Sequence, residues 1–191
     1  MTRSEIIRTL RATPGHIRTI TEGLSIELLR RRSGEGEWST GEIVNHLLLG
    51  ERDLILPRFM RMRAEEGPVF HSSLNDKMGF AAAPSTEHAD TDLERFATAR
   101  AATLSFLEGL KDQDWQRIGT TPTRGTLSIQ AYAEYLARHD LEHLAQLSET
   151  INLVDPSGPA WLALASLPYW CAPRPSGSTH RSTNTPGNNP T

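Results

Sequence analysis

The stretch Ser128-IQAYAEYLARHDLEHLAQLSET-Ile151 decides the fold. Ser128 is a helix-capping residue, and behind it Ile129, Tyr132, Leu136, Leu144 and Leu147 recur at the three-and-four spacing of one helical face. The run carries no proline or glycine, so it predicts one long amphipathic helix. Continuing its apolar stripe through positions 139/140 and 143 puts His139 and His143 where a hydrophobe belongs. The two are spaced i, i+4, which places both imidazoles on one side of the helix, one turn apart.

Working outward, the same periodicity predicts three more helices. Ser39 and Glu42 form a capping box, with Trp38 and Ile43 in the positions of a hydrophobic staple. The helix they start carries Ile43, Leu47, Gly50 and Leu54 on one face, and Pro57 is expected to kink or interrupt it before it ends near Arg63. Another helix is expected from about Asp90 to Leu110, with Leu93, Phe96, Arg100, Leu104 and Leu107 inward. The N-terminal region from Thr2 to Arg32 also reads as helical. It is expected to break at Thr13-Pro14, with Thr13 as a cap and Pro14 in the first helical position, and again at Gly23 to Ser25 before a short helical turn. Residues 64–90 read as a long crossover and Thr120 to Gly125 as a turn. No run shows strand alternation, so the fold class predicted is all-α, a four-helix bundle. The expected division is a bundle over residues 1–155, an apolar extension over 156–171 containing Trp161 and Trp170, and a disordered tail over 172–191, where Pro, Ser, Thr, Asn and Gly dominate.

The chain has 191 residues, 37% hydrophobic and 23% charged, with a net charge of −3. That balance fits one ordinary domain and argues against nucleic-acid binding, which needs a clustered basic surface. Arg30-Arg31-Arg32 is too short to provide one and reads as the basic last turn of a helix. A single cysteine, Cys171, excludes a disulfide framework and an all-cysteine metal site. No stretch approaches the roughly 20 apolar residues that cross a bilayer, and the first residues lack the apolar core of a signal peptide. A cytoplasmic location is expected.

Seven histidines are present. His46 repeats the inward pattern of His139 and His143, lying between Ile43 and Gly50. Any one of these three, taken singly, reads as an ordinary hydrogen-bonded core histidine. Three inward imidazoles on two helices are costly to bury without partners, and a shared metal ion resolves that cost. Other readings fit less well. A metal-free catalytic site needs a nucleophile, and no Ser or Cys sits in an activation motif. His139-Asp-Leu-Glu-His143 matches the inverzincin pattern, but only Glu149 and Asp155 lie downstream as carboxylates, and that fold needs a larger α/β chain. A ferritin-like di-iron bundle needs Glu-x-x-His, which does not occur here.

Three segments carry a family resemblance. They are Glu37-Trp38-Ser39-Thr40-Gly41-Glu42-Ile43-Val44-Asn45-His46-Leu47 followed by Glu51, Arg100 to Leu110 followed by Asp114-Trp115, and Gly125-Thr126-Leu127-Ser128-Ile129 leading into His139-Asp140-Leu141-Glu142-His143-Leu144-Ala145-Gln146. Over residues 1 to 152 the chain resembles the DinB-like superfamily, which includes YfiT-type bacillithiol S-transferases and mycothiol-dependent maleylpyruvate isomerases. The resemblance implies an up-down-down-up bundle and a metal held by His46, His139 and His143. It also implies a homodimer, with Trp161 to Trp170 folded over the bundle or forming the dimer contact.

Three protein ligands leave a fourth position open for water or substrate, as in catalytic zinc sites. The expected ion is a single divalent metal such as zinc, nickel or iron. The expected function is a metal-dependent enzyme using a small-molecule substrate, first a low-molecular-weight-thiol S-transferase. The alternatives are a metal-dependent hydrolase and a non-catalytic metal-binding, stress-related protein. Glu51, Asp53, Asp140 and Glu142 are candidates to orient the ligand histidines. Arg100 lies on an inward stripe, where pairing with a buried carboxylate is favoured over contact with an anionic substrate group.

Overall fold

The computed structural model describes residues 1–71 and 85–156. The apolar extension beyond Pro156, the tail from 172, and the middle of the 64–90 crossover fall outside the described residues.

Helix α1 spans Arg3–Thr21 and starts from a capping box in which Thr2 and Glu5 satisfy each other's backbone donors. It runs unbroken through Pro14, contrary to the break expected at Thr13-Pro14. The reason lies on another helix. Pro14 has no N–H to give to the Leu10 carbonyl one turn back, and that carbonyl instead accepts from Arg100 Nη1 at 3.1 Å. Thr13 is buried inside the helix rather than capping one. Ser25 caps the short helix α2, Ile26–Arg30, as the break near Gly23 predicts. The three arginines are structural ties. Arg30 Nε donates to the Thr86 carbonyl at 3.2 Å, Arg31 Nη1 to the Val154 carbonyl at 3.4 Å, and Arg32 pairs with Glu42. Arg30 is the basic residue of the last turn of α2, as expected, while Arg31 is its C-cap and Arg32 lies just beyond.

Helix α3, Thr40–Gly50, begins at the expected Ser39–Glu42 capping box. Its ladder then widens into a π-helical turn, Glu51–Ile55, before resuming as α4, Leu56–Ala64. Pro57 sits at the start of α4, so the interruption falls just ahead of the proline that causes it. Helix α5 is Asp92–Glu108 and α6 is Ile129–Val154, capped by Ser128.

Cross-helix contacts give the topology. Arg3 meets Gln130 and Thr13 meets Asp140, so α1 and α6 run parallel. Arg11 meets Glu108 and Arg18 meets Glu94, so α1 and α5 are antiparallel. Asn45 meets Asp92 and Glu51 meets Arg100, so α3 and α5 are parallel. His46 meets His143 and Arg58 meets Tyr132, so the α3–α4 rod is antiparallel to α6. This is the up-down-down-up order. The parallel pair in the middle requires the long 65–91 connection, because a short loop can only join antiparallel neighbours.

The expected absence of strands is overturned as well. Strands β1, Ile118–Thr121, and β2, Gly125–Ser128, form an antiparallel hairpin in the register Ile118↔Ser128 and Thr121↔Gly125. Val69 bridges the outer edge of β1, with Phe70 N–H donating to the Thr120 carbonyl at 2.8 Å. Four-residue strands with one apolar side chain each, Ile118 and Leu127, are too short to show a period. Gly119 lets β1 lie directly on α4, since a Cβ there would sit 2.8 Å from Met62 and 2.9 Å from Phe70.

The core is divided. One apolar cluster holds Leu10, Phe59, Leu104, Trp115 and Leu136. The other holds Ile17, Leu47, Phe96, Leu144 and Leu147. Between them, at the level of Thr13, Glu51, Arg100 and Asp140, lies a buried polar layer.

Candidate metal centre

Helix α3 delivers His46 and helix α6 delivers His139 and His143 to one point. The three residues offer ligand atoms that all lie within 4.8 Å of one another. Their ring centroids are 4.3 Å apart for His139 and His143, 4.9 Å for His46 and His143, and 5.6 Å for His46 and His139. Among the described residues, no other group of three or more His, Cys, Asp or Glu converges in this way. His46 is buried at 4% exposure, with its ring packed on Trp38 at 5.0 Å. Trp38 precedes the capping box, so the residue that fixes the entry of α3 also backs the imidazole.

On α6 the stripe is rotated slightly from the sequence reading. Asp140 and Leu144 take the deepest positions, while His139 and His143 sit half-buried on the shoulder that faces α3.

The donor set fits a divalent cation. Burial, joined by the neighbouring His143 and His46, pulls the His139 pKa down to about 3. Burial also lowers that of His143. Both rings are therefore neutral at physiological pH, the form that ligates metal. His143 Nδ1 lies 2.8 Å from Gln146 Oε1, an acceptor that fixes the proton on Nδ1 and leaves Nε2 as a lone pair. That Nε2 lies 3.0 Å from His139 Nε2. Two such nitrogens share at most one proton. His139 Nδ1 meets no partner among the described residues, whichever tautomer the ring adopts. With the His139 proton on Nδ1, two Nε2 lone pairs aim at one point, which a cation satisfies.

The carboxylates expected near the ligands take other roles. Asp140 and Glu51 are both buried, and both bind Arg100 rather than an imidazole. Arg100 Nε and Nη2 donate to Glu51 at 2.9 Å each, Nη2 also donates to Asp140 at 3.0 Å, and Nη1 donates to Asp140 and to the Leu10 carbonyl. All five N–H donors of the guanidinium are thereby used. Burial works against the Arg100 charge, but Asp140 and Glu51 outweigh it and hold its pKa above the ordinary value. Thr13 Oγ1 adds a bond to Asp140 at 2.7 Å. This layer ties α1, α5, α6 and the π-helical turn together directly behind the histidines and carries one net negative charge. Glu142 is exposed and acts on His143 through its charge alone, with no hydrogen bond to an imidazole among the described residues. Asp53 is exposed and paired with Arg52. The residue that sequence reading passed over is Gln146, three positions after His143 and so its neighbour on the helix surface.

Beside the histidines opens a cavity of about 460 Å³, with His46, His139, Leu54, Ile55, Tyr132 and Leu136 among its walls. That volume suits a small organic molecule.

Comparison with known proteins agrees with this architecture. YfiT from Bacillus subtilis, a solved structure described as "a probable metal-dependent hydrolase with an unusual four-helix bundle topology", superposes with a TM-score of 0.69 at 18% identity, covering 80% of this chain and 88% of that one. The uncharacterized protein YuaE of Bacillus subtilis (strain 168) is 22% identical over 141 residues, 67% of this chain and 86% of its own. The sequence profile of the DinB superfamily matches residues 9–147, and with the fold and the histidine cluster already in place, the chain belongs to that superfamily.

Proposed function

We propose that His46, His139 and His143 hold one divalent cation and that the protein is a metal-dependent transferase acting with a low-molecular-weight thiol. Imidazole donors suit zinc, nickel or iron. Bound there, such an ion supplies Lewis acidity that favours the thiolate form of a thiol at neutral pH. The thiol sulfur then bonds to an electrophilic carbon of the second substrate, whose leaving group departs with its electron pair, and the thiol proton goes to solvent.

The observation that carries the choice of reaction is the state of the carboxylates. Hydrolysis is helped by a general base near the attacking water. Among the described residues, the two carboxylates behind the cluster are locked onto Arg100, and Glu142 is exposed. A thiol is intrinsically far more acidic than water, so its ionisation beside a cation relies less on such a base. The chain's own part is to keep the imidazoles neutral by burial, to orient His143 through Gln146, and to fix the helices through the Arg100 layer.

A second reading, a metal-dependent hydrolase, is favoured by the description of YfiT. One experiment tests both. Metal content of the purified protein is compared with that of His139→Ala, and each is then assayed for conjugation of an electrophile with bacillithiol, mycothiol or glutathione, and for hydrolysis of ester and amide substrates. Metal in wild type but not in the variant, with metal-dependent thioether formation, is the expected result. Equal, negligible metal in both sinks the metal centre, and metal-dependent hydrolysis alone selects the second reading.

A further inference from the structure

We propose that Arg124 anchors a carboxylate on the molecule that fills the cavity, so that the site selects anionic small molecules. The inference deepens the function proposed above and rests on its reading of the cavity as the substrate site.

The cavity walls carry three arginines with different duties. The Arg100 charge is more than balanced by Glu51 and Asp140. Arg58 is buried and donates from Nη1 to Tyr132 Oη at 3.1 Å, adding positive charge to the same wall. Arg124 differs from both. Its guanidinium meets no carboxylate among the described residues and is held instead over the face of Tyr135, 3.5 Å from the ring centroid. The hairpin turn fixes it there: Arg124 N–H donates to Thr121 Oγ1 at 3.2 Å, and Gly125 supplies the positive φ of 67° that closes the turn. Tyr135 lies one helical turn from His139, ring to ring 5.7 Å. The two separations, 3.5 and 5.7 Å, put the guanidinium no farther than about 9 Å from the His139 imidazole. A planar, stacked cation at that range can fork onto the carboxylate of a small molecule whose reacting end faces the histidines. The Asp53 carboxylate on the cavity wall does not compete, because it is paired with Arg52.

The carboxylate could belong to the thiol or to the second substrate. Calorimetric titration of the full-length protein with glutathione, with glutathione diethyl ester, and with succinate separates the two. Glutathione carries both functions, the ester keeps the thiol alone, and succinate keeps carboxylate alone. Arg124→Ala is expected to weaken glutathione or succinate binding about tenfold, the low end for a charge-assisted bond because Arg124 is exposed. Ester affinity should stay within twofold, and Arg124→Lys should recover part of the loss. Loss with glutathione alone assigns the carboxylate to the thiol, and loss with succinate assigns it to the second substrate. The proposal is overturned if Arg124→Ala leaves all affinities within twofold, or if neither carboxylate probe binds wild type at millimolar concentration. Metal content of the same samples reads the metal centre separately. Metal-free protein that still binds succinate through Arg124 sinks the metal and keeps the anchor, whereas metal-loaded protein indifferent to Arg124 does the reverse.

Discussion

Replacing Arg100 with methionine tests the layer behind the histidines. The side chain is 1% exposed, and all its donors are bonded: to Glu51, itself 2% exposed, to Asp140 at 0%, and to the carbonyl of Leu10. Methionine fills a similar volume but leaves two carboxylates and one carbonyl buried with their partner removed. Breaking a buried ion pair from one side costs about 3–5 kcal/mol, against a total stability of about 5–15 kcal/mol for a domain of this kind. Arg100→Met should therefore unfold at a much lower urea midpoint with an unchanged slope. The test of cause is a second variant. If the loss comes from orphaned charge, then neutralising the carboxylates as well, in Arg100→Met with Glu51→Gln and Asp140→Asn, should recover part of it, although three residues are then altered. If the layer contributes only packing, the triple variant should be less stable than the single one. A triple variant below the single, or a single variant within about 1 kcal/mol of wild type, would refute the reasoning.

Three further outcomes follow from single residues. His139 stays neutral in the folded chain down to about pH 3, mainly through burial, against an ordinary value of 6.5. Between those values the unfolded chain binds the extra proton, so metal-free protein should lose stability as pH falls below about 6.5, by about 1.4 kcal/mol per unit for this one group, and be level above it; urea titrations from pH 4.5 to 8 that stay flat would contradict this. Gly41→Ala should cost about 1–3 kcal/mol despite alanine's better helix propensity, because its Cβ would lie 2.9 Å from Ala89 Cβ and 3.1 Å from the Leu29 carbonyl, which is backbone and cannot swing aside; thermal melting reads the loss. Pro14→Ala should stabilise by well under the roughly 3 kcal/mol that separates proline from alanine in a helix interior, because the carbonyl it would reclaim is already satisfied by Arg100; a gain of the full amount would show that the Arg100 bond to Leu10 contributes nothing.

The helices and the histidine cluster were readable from the sequence because each rests on a local signal. Capping at Ser39 and Ser128 and the three-and-four spacing of apolar residues are properties of neighbours along the chain. Features that depend on distant partners were not readable. Pro14 looked like a break because its remedy, Arg100, lies on another helix. The hairpin at 118–128 was missed because its strands gain order from Val69, Met62 and Phe70 rather than from a pattern of their own. Glu51 and Asp140 looked like orienting partners for the histidines because sequence adjacency shows proximity and not direction. Asp140 follows His139 in the chain but points about 100° further round the helix, away from the imidazoles and into the bundle.

That divergence explains how the site is held. His139 and Asp140 are consecutive, so whatever pins Asp140 sets the rotation of α6 and with it the aim of His139 and His143. Asp140 is pinned by Arg100 and Thr13. Arg100 is in turn held by Glu51, which lies at the first residue of the π-helical turn and five positions after His46. The same guanidinium therefore fixes the roll of both rods that carry the histidines. It does so without touching any of them, and the Leu10 carbonyl left without a helix donor by Pro14 provides its remaining acceptor. A proline in α1, a π turn before Pro57 and an inward arginine look like three separate faults in a helical pattern. In the folded chain they meet at one residue, and their joint effect is to bring three imidazoles from two antiparallel rods to a common point.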